Sequence, residues 1–140
     1  MEPTGGSVLE FVAGVAPARR REDAEVLLGL FSEVSGHEAA MWGSIIGFGS
    51  CHYRYPTGTE GDMPLLAFAP RKAAMTVYVD SAQKHTAQLD RLGPHTSSVS
   101  CIYIKDVSKV DLYVLREILV DSLAWTLAGG DENAVITVAE

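Results

Sequence analysis

The residues that could do chemistry in this 140-residue chain are concentrated between positions 41 and 58. The segment is MWGSIIGFGSCHYRYPTG, which holds several glycines, a Cys–His pair, an arginine and two tyrosines. Closely spaced glycines are typical of phosphate-binding loops, a Cys–His pair of metal sites, and aromatic rings of stacking surfaces. Each chemistry needs particular elements to position it, so the surrounding pattern must decide among the three.

The glycines do not fit a phosphate-binding loop. Such a loop lies between a strand and a helix, because the anion binds the free amides of the helix N-terminus. Here GSIIGFGS leads into CHYRYP, whose alternation predicts another strand, and no Gly-Lys-Ser/Thr follows. We therefore predict that Gly47 and Gly49 serve the backbone angles of a tight turn and that Gly43 marks a bulge or close packing. Trp42 is predicted to lock the start of the sheet against a helix.

Metal ligation has weak support. The four histidines are scattered, with no spacing that would set two ligands on one face of an element. On a strand, Cys51 and His52 point to opposite sides. The remaining candidates are the acidic side chains Glu22, Asp23 and Glu25, which could bind iron weakly, although a solvent-facing helix surface explains them equally well. We predict no resident cofactor.

Hydrophobic periodicity predicts helices at both ends of the chain. A short helix follows the serine cap Ser7, and a second runs from about Arg19 to Gly36. SAQKHTAQLDRLG predicts a third helix, and Asp111 caps a long fourth one that closes at Gly129 and Gly130.

Between these helices the period changes to two, which predicts short strands at WGSIIGF, SCHYRYP, PLLAFAP, MTVYVD and SVSCIYIK. The fold class is therefore α+β: a two-layer arrangement of an antiparallel sheet of about five strands with helices packed on one face. We predict one domain over residues 1–140, with its core at about 7–128 and a C-terminal tail, 129–140, that pairs on a sheet edge or frays.

Alternation separates a buried face of this sheet from an open face. The predicted core residues on the strands are Met75, Val77, Val79, Ile102 and Ile104. The predicted ligand-binding residues on the open face are His52, Arg54, Tyr78, Tyr103 and Lys105. Cations and amphipathic rings suit an anionic or aromatic ligand, but a homodimer interface or an ordinary solvated sheet surface would use the same residue types.

An enzyme would need a nucleophile and a base. The candidates are Cys101 or Ser100 with His52, yet no third group is placed to orient them and no nucleophile elbow is present. The sequence therefore favours a non-catalytic module that binds a small ligand or a protein partner, such as a second copy of itself, and leaves an enzyme of unknown reaction as an alternative.

Composition limits the partners and the compartment. The net charge of −7 disfavours nucleic acid, and no apolar run approaches the length that spans a bilayer. The N-terminal arginines follow the apolar stretch, the reverse of a signal peptide, so we expect a cytoplasmic protein. Cys51 and Cys101 lack CxxC spacing and are predicted to be small apolar side chains rather than a disulfide.

Several segments together resemble a known family. MWG, GFG, YRYPTG, FAPRKAA, RLG and SCIYIKDVSKVDLYVL are similar to the YdhG-like family, the domain of unknown function 1801, in its actinobacterial-style branch. The resemblance runs from about Phe11 to about Ser122 and implies an α+β fold with helices on one side of an antiparallel sheet. Some relatives are described as distantly frataxin-like intracellular iron chaperones, which implies iron binding as an alternative function. The chain departs from the family after RLG, where PHTSSVS replaces the usual glycine and lysine.

Overall fold

The computed structural model describes residues 2–132 and 134–138 and confirms the α+β class. The helices are α1 (Val8–Ala13), α2 (Ala18–Ser35), α3 (Thr86–Leu92) and α4 (Leu112–Leu127). The strands are β1 (Ala39–Trp42), β2 (Ile45–Phe48), β3 (Cys51–Arg54), β4 (Glu60–Met63), β5 (Leu66–Pro70), β6 (Met75–Tyr78), β7 (Thr96–Ser97), β8 (Cys101–Ile104), β9 (Gly130–Asp131) and β10 (Ala134–Val138). Short 3-10 turns cover Ala82–His85 and Val107–Lys109.

The strands form two antiparallel sheets rather than one. The first has six strands in the order β1-β2-β5-β6-β8-β7, and the second has four in the order β4-β3-β10-β9. Strand β10 lies in the tail and pairs with β3 from Val135 opposite Arg54 to Val138 opposite Cys51. Of the two expectations for the tail, pairing on a sheet and fraying, the described residues show pairing. Residues 133, 139 and 140 lie outside the described residues.

The predicted helix ends at Ser7, Gly36 and Asp111 are confirmed by their capping contacts, whereas α4 ends at Leu127, before the predicted Gly129. The side chain of Ser7 accepts a hydrogen bond from the Glu10 amide, and that of Asp111 accepts from the amides of Tyr113 and Val114. Gly36 ends α2 in the left-handed conformation with a φ of 72°. These are the local signals that sequence reasoning reads best, because each acts within one helical turn.

The core lies between the first sheet and the helices. Phe31 of α2 packs on Phe48 and Phe68, with ring centroids 5.6 and 5.0 Å away. The predicted core is confirmed, since Val77 and Ile102 are fully buried and their neighbours in the same register are buried or partly buried. The register that places them there pairs Val77 with Ile102 across β6 and β8.

The solvent-facing surface expected for the acidic side chains of α2 is partly wrong. Arg20 and Asp23 are both buried, whereas Glu22 and Glu25 are exposed. Arg20 Nη1 donates to the Lys105 carbonyl at 2.7 Å, and an oxygen of Asp23 accepts from the Val107 amide at 3.1 Å. The two side chains turn inward because the backbone after β8 offers them hydrogen-bond partners.

The glycines between positions 43 and 49 have two different structural roles. Gly49 has a φ of 71°, as its predicted turn requires. Gly43 was expected at a bulge or in close packing, but it lies in the turn between β1 and β2 with a φ of 67°, and a Cβ there would meet nothing within 4 Å. Gly47 does not have a positive φ, so its predicted role was wrong: a Cβ there would lie 2.5 Å from both Pro64 Cγ and Trp42 Cδ1. Trp42 is buried over Gly47 and Pro64, on the sheet face opposite the one that Phe48 presents to α2. The expectation that Trp42 packs against a helix was therefore also wrong.

Candidate functional site

The structure does not bring the predicted ligand-binding residues together. His52 and Arg54 lie in β3 of the second sheet, whereas Tyr78 and Tyr103 lie in β6 and β8 of the first sheet, and Lys105 follows β8. The chain leaves the first sheet at the turn after β2, so β3 pairs with β4 and β10 instead of continuing the meander. Periodicity assigned the faces of individual strands but could not assign strands to sheets.

His52 is held by two carboxylates on the outer face of the second sheet. Its Nδ1 lies 2.9 Å from Asp62 Oδ1, and its Nε2 lies 2.9 Å from Glu60 Oε1. The hydrogen bond to Asp62, then the one to Glu60, raises the pKa of His52 above its ordinary value. Both ring nitrogens are thus occupied, so His52 offers no contact to an anionic ligand.

A cleft lies where the two sheets and the end of α4 meet. Its volume is about 750 Å³, and its lining combines aromatic, apolar and a few charged side chains. Its lining includes Tyr53, Tyr55, Tyr78, Asp80, Lys84, Ser100, Trp125 and Asp131. Tyr78 is the one predicted ligand-binding residue among them, and Ser100 is one of the two candidate nucleophiles; Tyr103, Lys105, His52 and Arg54 lie elsewhere.

Aromatic rings form much of the cleft wall. The rings of Tyr53 and Tyr55 are 5.1 Å apart at an interplanar angle of 43°. Tyr53 lies over Gly61, its partner across β3 and β4, where a Cβ would come within 2.8 Å of the tyrosine hydroxyl. The glycine therefore makes room for the ring, and Tyr78 and Trp125 complete the aromatic lining.

A buried hydrogen-bonded chain supports one end of the cleft. The Asp80 side chain is only 3% exposed, and its Oδ1 lies 2.7 Å from Nε2 of the equally buried His85. His85 Nδ1 lies 3.1 Å from Gln88 Oε1, and Gln88 Nε2 donates to Asp121 at 2.9 Å. The Asp80 amide donates to Ser122 Oγ at 2.8 Å. Asp80 is therefore fixed from both its backbone and its side chain.

Lys84 reaches over this end of the cleft. Its Nζ lies 4.6 Å from the centroid of the Trp125 ring, 3.6 Å from Asp80 Oδ2 and 3.7 Å from Asp131 Oδ2. Trp125 Nε1 donates to Asp131 at 3.0 Å. The lysine ammonium thus lies among an aromatic face and two carboxylates.

An apolar pocket of about 280 Å³ adjoins the cleft and shares its tyrosines and Trp125. Its further lining includes Ile45, Pro64, Leu65 and Ala67. A further surface pocket of about 480 Å³ shares Ser81, Gln83 and Val99 with the cleft, but its lining is mainly hydroxyl and other polar side chains. The aromatic cleft with its apolar extension is therefore the better ligand site.

The other predicted chemistries gain no support from the geometry. Among the described residues, no group of three or more His, Cys, Asp or Glu side chains is arranged to hold a metal. Of the iron candidates, Asp23 is buried against the Val107 amide, which separates it from Glu22 and Glu25. For the enzyme alternative, His52 lies in the second sheet, whereas Cys101 begins β8 in the first sheet and Ser100 directly precedes it.

Both cysteines are free thiols, as predicted. Cys51 is buried at the start of β3, whereas Cys101 is half-buried in β8. Burial, and to a smaller extent the charge of Asp62, raises the pKa of the Cys51 thiol to about 11. Since the thiolate is the reactive form, Cys51 is a packing residue and not a nucleophile.

Sequence reasoning missed most of the cleft residues. His85, one of the four scattered histidines, is buried, and Trp125 lies off the apolar stripe of α4. The available signal was local: Lys84 and His85 follow Asp80 at four and five residues, which lets a turn bring both back to the carboxylate. The contribution of Asp131 depends on the fold of the tail and had no local signal.

Comparisons with family models, with curated proteins and with solved structures find no match to this chain. The resemblance to the YdhG-like family therefore stays a prediction. Within residues 2–132 and 134–138, no helix combines the length and the apolar character needed to cross a bilayer.

Proposed function

We propose that this protein is a non-catalytic binding module whose ligand is a small molecule held in the cleft between the two sheets. The observation that carries the proposal is the convergence of Tyr53, Tyr55, Tyr78 and Trp125 on one concave surface with a few fixed polar groups. Ligand sites are typically concave and mostly apolar, with a small number of polar groups that set orientation. An adjoining apolar pocket extends the available surface.

The arrangement of His85 argues for binding rather than catalysis. A general base must present a ring nitrogen to the proton that it abstracts. In His85 one nitrogen contacts Asp80 and the other contacts Gln88, so neither faces the cleft. The buried chain accordingly supports the wall of the site and does not supply a reacting group.

A cytoplasmic setting goes with this proposal. It is supported by the two free cysteines, which lie on different sheets and are far from the disulfide pattern of secreted small domains.

The proposal is tested by binding measurements on matched tyrosine variants. A library of soluble aromatic fragments is screened against the wild-type protein, and the strongest fragment is titrated calorimetrically into Tyr78→Ala and Tyr113→Ala. Tyr113 is 83% exposed at the start of α4 and serves as the control. We expect Tyr78→Ala to weaken binding about tenfold, about 1.4 kcal/mol, and Tyr113→Ala to leave it unchanged.

A second variant controls for the case in which Tyr78→Ala binds weakly because it is less stable. Ser100 is exposed and lines the cleft, so Ser100→Trp would fill the site without removing core packing. If Tyr78→Ala, Ser100→Trp and Tyr113→Ala all bind the fragment as tightly as the wild type does, the ligand binds elsewhere and the proposal is wrong.

A further inference from the structure

We infer that the cleft takes a cationic ligand, an amine with an apolar or aromatic body, and that Lys84 occupies the cation position when the ligand is absent. This inference rests on the proposed function and adds the chemical class of the ligand. It is carried by the place of the Lys84 ammonium, above the ring of Trp125 and between the carboxylates of Asp80 and Asp131. Aromatic faces combined with carboxylates are how proteins recognise ammonium groups.

The contacts of Lys84 are those of a displaceable group. Charge-assisted hydrogen bonds between nitrogen and a carboxylate oxygen are about 2.7–2.9 Å long. The distances from Lys84 Nζ to Asp80 and Asp131 are 3.6 and 3.7 Å, so the lysine is attracted to both without being hydrogen-bonded to either. Its side chain is 44% exposed and that of Asp131 is 34% exposed, and partly exposed ion pairs contribute little to stability. The Asp80 carboxylate is buried, but it keeps its 2.7 Å contact with His85 when Lys84 moves out into solvent.

The groups around Lys84 are, by contrast, fixed. Asp80 is held by His85 and by the Ser122 hydroxyl that accepts from its amide. The indole of Trp125 donates to Asp131, which sets ring and carboxylate relative to each other. When the lysine leaves, a preorganised cation position remains, and this is the arrangement that binds a ligand with little reorganisation.

The lining of the cleft also favours a positive ligand. Among the described residues that line it, Lys84 is the single basic side chain, against the two carboxylates of Asp80 and Asp131. The adjoining pocket presents apolar side chains, among them Ile45 and Leu65, and would receive the body of the ligand. An anionic head group would meet two carboxylates and only one cation.

The test uses three probes that share a phenyl ring on a short alkyl chain and differ in the head group: 4-phenylbutylamine, 4-phenylbutan-1-ol and 4-phenylbutanoate. Their dissociation constants are measured for the wild type, Lys84→Ala and the control Lys72→Ala, whose lysine is exposed in the turn between β5 and β6. We expect Lys84→Ala to bind the amine about tenfold more tightly than the wild type does, because the competing ammonium is gone. The alcohol should change less than about twofold, and Lys72→Ala should match the wild type.

Asp131→Asn in the Lys84→Ala background provides the complementary test, since it removes one carboxylate and keeps an acceptor for Trp125. It should cancel most of the gain for the amine and leave the alcohol unaffected. If the wild type binds 4-phenylbutanoate best and Lys84→Ala loses that binding, Lys84 is an anion-binding residue and the inference is overturned. If the amine gains nothing while the alcohol binds every variant, the inference fails but the cleft stands; if none of the probes and no aromatic fragment binds, the proposed function fails with it.

Discussion

At the scale of single residues, His52 is the clearest case of chemistry set by local contacts. Asp62 and Glu60 each lie 2.9 Å from one of its ring nitrogens, so the protonated ring is favoured in the folded protein. We predict that His52 titrates above the ordinary histidine value of about 6.5. Histidine ring proton shifts followed by NMR against pH would measure this, and Asp62→Asn should lower the pKa, because the hydrogen bond to Asp62 is its largest cause.

The sign of the linked stability follows from the direction of this shift. A pKa that is raised on folding means that the folded state binds the proton more tightly than the unfolded state does. The stabilising contribution of His52 is therefore fully present below the unfolded-state pKa and is lost as the pH rises through the folded-state pKa. Titration of His52 at or below the ordinary value would show that the contacts with Asp62 and Glu60 are not formed in solution.

The two glycines Gly47 and Gly29 offer a matched pair at the same scale. A Cβ on Gly47 would lie 2.5 Å from Trp42 and Pro64, whereas a Cβ on Gly29 in α2 would meet nothing within 4 Å. We expect Gly47→Ala to lower the free energy of unfolding by about 1–3 kcal/mol through overpacking. Gly29→Ala should raise it by about 0.5–1 kcal/mol, because alanine is the better helix former.

Urea denaturation of both glycine variants measures the two changes. Equal effects at the two positions would contradict the close packing of Trp42 over Gly47 and, with it, the account of why a glycine stands there.

At the scale of elements, buried polar side chains join α2 to the segment after β8. Asp23 accepts from the Val107 amide, and its neighbour Glu22 is exposed. We expect Asp23→Ala to cost about 1–3 kcal/mol of unfolding free energy, because a buried N–H loses its partner. Glu22→Ala should change it by no more than about 0.5 kcal/mol, as is usual at the surface.

Chemical denaturation of the two α2 variants, run side by side, separates a structural carboxylate from a solvated one. If Asp23→Ala were as mild as Glu22→Ala, the hydrogen bond from the Val107 amide to Asp23 would contribute nothing to stability. Asp23 would then again be available as a surface ligand beside Glu22 and Glu25.

The elements that the sequence predicts well are those whose signals are local. The caps at Ser7 and Asp111 and the alternation in β6 and β8 act within a few residues, and the structure confirms them. Strand β4 was missed because its sequence, EGDM, has the composition of a turn. It pairs with β3, where Gly61 leaves room for the ring of Tyr53, and the local sequence does not show this pairing.

At the scale of the whole molecule, the second sheet decides where the site lies. Its pairing of β3 with β10 joins segments about eighty residues apart in the chain, and no local pattern encodes which remote strand is chosen. The sequence therefore predicted that rings such as Tyr78 face away from the helices, but not that Tyr53 and Trp125 converge on it. It also grouped His52 and Arg54 with Tyr78, although β3 belongs to a different sheet.

The central claim is that the cleft between the two sheets is the ligand site, and chemical-shift mapping tests it most directly. The strongest aromatic fragment is titrated into isotope-labelled protein while backbone amides and the tryptophan indole signals are followed. We predict shifts that saturate together and cluster at Ser81, Ser100 and the Trp125 indole, all of which line the cleft. Shifts that cluster instead around His52 and Arg54, on the outer face of the second sheet, would contradict the account.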